Sequence, residues 1–83
     1  MENGISLMVM SPEMVLEECS VKLVRLPGRK GPFAVLKNHA PLISVLDAGD
    51  IEYETMSGEV NKISIKSGFV EVGKNKVSVC VEL

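Results

Sequence analysis

Few residues in this chain could do covalent or proton-transfer chemistry. Its only histidine, His39, lies in LKNHAPL (36–42), and its two cysteines are Cys19 and Cys80. A nucleophilic site would need Cys19 or a serine beside His39, with a third group orienting the imidazole. Serines are plentiful, but the sequence has no G-x-S-x-G elbow to expose one. A metal fares no better, because one histidine and two distant cysteines lack the paired spacing of a zinc ligand set. The stretch LPGRKGPF (26–33) sets Gly28 and Gly31 around Arg29 and Lys30, which superficially suits a phosphate. It lacks the G-x-x-x-x-G-K-S/T order, and no helix is expected after it to aim an N-terminus at an anion. It reads instead as a tight turn with a solvated tip. Glu17–Glu18 and Glu52–Glu54 are carboxylate pairs, but the second pair falls on the outer face of an alternating strand, where solvation is the ordinary role. With catalysis short of partners, two readings of His39 remain. It braces a turn whose backbone Asn38 and Pro41 set, or it projects from a loop as a polar contact for another protein.

Strands must position these residues. Ile5, Leu7 and Val9 alternate with Ser6, Met8 and Met10, and Pro12 ends that run because proline cannot continue a central ladder. Val15 to Leu26 is a second extended segment. Its apolar phase changes from Val21 and Leu23 to Val24 and Leu26, which predicts a bulge near Leu23. Pro27, Gly28 and Gly31 form a turn in which both glycines permit positive φ, and PFAVL (32–36) is a short strand. Ile51, Tyr53 and Thr55 alternate with Glu52 and Glu54, and Ile63 and Ile65 with Lys62, Ser64 and Lys66. Val70 and Val72 follow, and Val77, Val79, Val81 and Leu83 alternate with Lys76, Ser78, Cys80 and Glu82. Ser57-Gly58 is a turn, Ser67-Gly68 a turn or bulge, and Gly73-Lys74-Asn75 a hairpin loop. Leu42 to Leu46 is ambiguous. Pro41 would suit a helix start and Gly49 a helix stop, but β-branched Ile43 and Val45 in a short run favour a strand. Short strands punctuated by glycine turns indicate an antiparallel sandwich or barrel.

That scaffold assigns the remaining candidates. Cys19 shares a phase with Val21 and reads as a small core residue. Cys80 faces away from Val79 and Val81. Met1, Met8, Met10, Met14 and Met56 are core filler by default, but Met8 and Met10 stand on the face opposite Leu7 and Val9, which suits an interface.

Bulk properties narrow the class. At 83 residues the chain is one small domain, with thin stability. Its net charge of −2, with scattered Lys and Arg, lacks the basic stripe of a nucleic-acid binder. The opening MENGISLMVM has no positive n-region, and no apolar run approaches a bilayer span. The distant cysteines favour free thiols, so a soluble intracellular chain is expected. Apolar residues make up 46% of a chain too small to hide them all, which leaves some to face a partner.

Beyond these physical readings, VRLPGRKGPFAVLKNHAPLISVLDAGDI (24–51) resembles the N-terminal domain of the epsilon subunit of F-type ATP synthase. The family pattern is a P-G-x-x-G turn, a short strand, H-A-P-L, an apolar run and a glycine. Gly28, Gly31, Val35, His39, Ala40, Pro41, Leu42 and Gly49 fit it. The opening resembles the family's first strand, S-P-E turn and long second strand. IKSGFVEVGKNKVSVCVEL (65–83) is similar to its S-G-G-x-x-E-V segment and final strands, with Phe69 where a second glycine is common.

The resemblance implies an all-β, antiparallel two-sheet β-sandwich of about ten short strands, with the 41–45 run as a strand. It implies a non-catalytic rotor subunit with no cofactor, bound to the gamma subunit and the c-ring. That subunit couples ion flow to ATP synthesis at the cytoplasmic face of the bacterial inner membrane, as a peripheral part of the complex. Carried over from the family's loops, the contact residues are Ser11, Arg29, Lys30, Pro32, Asn38 and His39, with Gly28, Gly31, Pro41 and Gly49 shaping the turns. Many relatives place an acidic residue where this chain has Pro32, so the polarity of that contact is expected to differ. Most bacterial relatives continue into a two-helix C-terminal domain. This chain ends at Leu83, so the whole of residues 1–83 is expected to be one sandwich without it. A stand-alone β-sandwich binding module is the alternative. A small Cys/His enzyme is a more distant one and would need Cys19 and His39 within hydrogen-bond reach.

Overall fold

The computed structural model describes residues 4–83 and is all-β. Met1, one of the methionines considered above, lies outside the described residues. Eight strands are present: β1 (Ile5–Met10), β2 (Val15–Leu26), β3 (Phe33–Val35), β4 (Leu42–Leu46), β5 (Gly49–Thr55), β6 (Val60–Ile65), β7 (Ser67–Gly73) and β8 (Lys76–Glu82). Among the described residues the strands number eight where about ten were expected, and Val15–Leu26 is one continuous strand that serves two parts of the sheet. The ambiguous 42–46 run is strand β4. It pairs with β7, so tertiary pairing decides what its short periodicity left open.

Hydrogen bonding runs in the order β4-β7-β8-β1-β2-β5-β6, with β3 also on β2. All pairs are antiparallel except β1 with β8. The first part of β2 pairs with β1 through Ile5↔Val21, and its second part with β5 through Val24↔Tyr53 and with β3 through Val24↔Val35. The register on β5 slips between Val21 and Leu23, which is the expected bulge. The extra residue carries the strand around a bend and resets its phase, so Val21, Val24 and Leu26 are all buried. Past β2 the chain closes on the free edge of β4 through the Gly28↔Leu46 bridge. Hydrogen bonds from Arg29 N to Val45 O (3.0 Å) and from Asp47 N to Pro27 O (2.8 Å) secure that closure. The sheet therefore curls on itself around one core.

The inward positions fill that core. Leu7, Val9, Val21, Val24, Leu46, Ile51, Val70 and Val79 are fully sealed from solvent, and no polar or charged residue is buried among the described residues. Cys19 packs partly buried against this cluster, as its phase implied, and both cysteines are free thiols.

The turns hold one correction. Gly31 has φ of 126°, as expected, but Gly28 is not in the left-handed region. Its requirement is space. A Cβ there would stand 2.8 Å from the Gly31 carbonyl oxygen and 2.8 Å from the Phe33 ring. Ser67 and Gly68 open β7, where the chain stops pairing with β5 and begins pairing with β4 and β8. At 73–76 the paired Gly73 and Lys76 flank Lys74 (φ 51°) and Asn75 (φ 60°), the two positive-φ residues of a tight hairpin.

Candidate interaction surface

The outward positions of four neighbouring strands line up as an apolar row. Val45 on β4 faces Phe69 on β7, Phe69 faces Cys80 on β8, and Cys80 faces Met10 on β1. Val15 on β2 stands opposite Met10 and extends the row. Directly opposed residues share a face of the sheet, so the row follows from register alone. Val45, Phe69 and Val15 are about half exposed, at 45%, 52% and 51%. The next row carries Ile43, Glu71, Ser78 and Met8 and ends on Glu18, so the apolar character is confined mainly to one line. Gly68, one step along from Phe69 and opposite the buried Leu46 and Val81, permits a close approach of β8, because a Cβ there would strike the Cys80 carbonyl.

A cleft of about 610 Å³ runs along this row, between Phe69, Cys80 and Met10 on one side and Ser11, Pro12 and Arg29 on the other. The S-P-E turn and the glycine loop thus meet at one rim. Ser11 closes its turn by accepting from Met14 N through Oγ (3.3 Å), while Ser11 N donates to Met14 O (2.9 Å). Arg29 Nε donates to Asp47 Oδ1 at 3.2 Å in an exposed ion pair. A second cleft of about 540 Å³ lies beside it, between Gly28–Phe33 and the outer side of β4 at Ile43 and Val45, and Lys30 and Pro32 line it.

Asn38 and His39 belong to a different end. Asn38 has φ of 65°, and its N–H donates to Asn75 Oδ1 at 2.6 Å, while Asn75 Nδ2 donates back to Asn38 Oδ1 at 3.3 Å. Asn75 precedes β8, whereas the Ser11–Arg29 cleft reaches Glu82 at its far end. At roughly 3.3 Å per residue, β8 separates the two groups by roughly 20 Å. The six sequence-derived contact residues therefore form two groups: Ser11, Arg29, Lys30 and Pro32 together, and Asn38 with His39 apart.

His39 is half-buried and engaged with its own loop. Its N–H donates to Leu36 O, and its Nδ1 lies 2.7 Å from Ala40 O. A carbonyl only accepts, so Nδ1 donates in this contact. These bonds fit the bracing reading of His39.

Glu17, in the sequence only one of a carboxylate pair, has a structural role. It faces inward opposite Val9, where Tyr53 Oη donates to its Oε2 at 2.8 Å and Glu18 N to its Oε1 at 3.0 Å. Burial, then the Glu17 carboxylate, pushes the Tyr53 hydroxyl up to about 12. Burial, then Glu17, also pushes the Cys19 thiol up, away from the thiolate a nucleophile needs. No group of three metal-ligating side chains occurs among the described residues, and no helix there is long and apolar enough to cross a membrane.

Comparison with known proteins fits this fold. Residues 4–83 match the family "ATP synthase, Delta/Epsilon chain, beta-sandwich domain", and the chain belongs to that family. Its curated relatives are ATP synthase epsilon chains. One from Desulfitobacterium hafniense is 43% identical over 82 residues, covering 99% of this chain and 61% of the relative. One from Campylobacter fetus is 38% identical over 80 residues, covering 96% and 62%. The chain thus spans about three-fifths of the relatives it matches. A chain of the Euglena gracilis mitochondrial ATP synthase OSCP/F1/c-ring structure has the same fold, with a TM-score of 0.90 at 20% identity over 98% of this chain and 52% of that one.

Proposed function

We propose that this domain is a non-catalytic coupling piece of the F-type ATP synthase rotor. It binds the gamma subunit through the Val45–Phe69–Cys80–Met10 row and meets the c-ring through polar loops, holding the complex's ion-driven rotation to ATP synthesis. The observation that carries the reading is this apolar row bordered by the Ser11–Arg29 rim. Permanent joints favour apolar surface, and loop contacts favour polar surface. Family membership and the epsilon-chain relatives support the same reading. In a bacterial cell this places the domain at the cytoplasmic face of the inner membrane, held there by the complex. The proposed contacts remain Ser11, Arg29, Lys30, Pro32, Asn38 and His39, with no cofactor.

His39 tests the loop contacts. Replacing it with Ala should weaken co-assembly with detergent-solubilised c-ring by about tenfold while shifting Tm by only about 2 °C. A collapse in Tm with normal assembly would leave only the bracing role and remove the contact.

A further inference from the structure

We infer that the glycine loop recognises an acidic protein segment, a carboxylate flanked by an apolar side chain. This rests on the reading that the rim is a rotor contact, and it names the chemistry of the partner. Arg29 and Lys30 stand side by side at the exposed tip between Gly28 and Gly31. The tip is held firmly. Gly31 N donates to Gly28 O (3.0 Å), and Arg29 N is fixed to Val45 O on β4 (3.0 Å). Both cations border the 540 Å³ cleft, whose lining also includes the apolar side chains of Phe33, Ile43 and Val45, with Ser44 between the last two. Asp47 engages Arg29 through Nε, so the terminal guanidinium nitrogens remain to donate to a second carboxylate. That pair is exposed, with side chains 67% and 51% accessible, and so offers little resistance to a competitor. A concave apolar wall beside two preorganised cations suits one side-chain pair of a protein loop. An anionic bilayer is a poorer fit, because it needs a larger basic cluster than two residues on a chain of net charge −2.

The test uses the purified chain with three probes: detergent-solubilised c-ring, isolated gamma subunit, and phosphatidylglycerol vesicles. Variants are Arg29→Glu/Lys30→Glu, and Lys30→Glu alone, which leaves the Arg29–Asp47 pair intact. The inference predicts c-ring binding that weakens between about 50 and 300 mM salt. It also predicts a further loss of about tenfold in the double variant and a smaller one in the single variant, with gamma binding and Tm retained. Unchanged or tighter c-ring binding by the reversed variants overturns it while leaving the rotor reading in place. Loss of vesicle binding alone assigns the cations to lipid and also overturns it. Failure of the unmodified chain to bind either gamma or c-ring removes the rotor reading, and this inference with it.

Discussion

At the scale of single residues, environment decides chemistry more than residue type does. Tyr53 is 3% exposed and donates to Glu17, so the fold favours its protonated form. Its folded value of about 12 lies above the ordinary 10.0, and the folded state therefore holds the proton more tightly than the unfolded chain. That contribution is complete below pH 10 and is lost as pH climbs from 10 through about 12. Thermal melts across this range should show the unmodified chain losing stability more steeply than Tyr53→Phe. Parallel curves for the two proteins would remove Tyr53 as the cause. Gly28 makes a steric claim. Its Cβ position is filled by the Gly31 carbonyl and the Phe33 ring, so Gly28→Ala should cost about 1–3 kcal/mol in urea unfolding. A neutral result would show that the loop relaxes freely and that the close approach has no energetic weight.

Elements reveal where sequence reasoning reached and where it stopped. Alternation located the buried faces of β1, β5 and β8 because each strand has one face on the core. The change of phase from Val21 to Val24 disclosed the β2 bulge, since an extra residue leaves that trace in the pattern. The closure of Gly28 on Leu46 and the Asn38–Asn75 pair left no trace, because residues far apart along the chain carry no shared period. For the same reason the loop motifs did not show that the contact residues fall into two groups, which the register places apart. Glu17 keeps the phase of Cys19 and Val21 opposite Val9, so its inward face was legible in the pattern, whereas its partner Tyr53, far along the chain, was not. The bulge itself is open to test. Lys22→Ala removes only an exposed ion pair with Glu54 (3.8 Å) and should change stability by less than about 0.5 kcal/mol. Deleting Lys22 removes the extra residue and leaves Val21, Val24 and Leu26 on one phase, but it takes away the bend at this point of β2, which should cost about 1–3 kcal/mol. Equal urea midpoints for the two variants would mean that β2 makes its bend without the bulge.

For the molecule as a whole, one curled sheet solves two problems. Its inner positions make a sealed apolar core, and its outer positions on β4, β7, β8, β1 and β2 make the Val45–Phe69–Cys80–Met10–Val15 line. The S-P-E turn adjoins Met10 toward one end of that line and the glycine loop adjoins Val45 at the other, and both border the same cleft. An apolar face beside a charged rim is the division a rotor joint requires, with attachment on one and recognition on the other.

The affinity of the chain for the gamma subunit of its own host, measured by calorimetry, tests this account most directly. The unmodified chain should bind, and Val45→Ser/Phe69→Ser should bind about tenfold or more weakly at a nearly unchanged Tm, because both side chains are about half exposed outside the core. Undiminished gamma binding by that double variant would contradict the assignment of the apolar row as the joint.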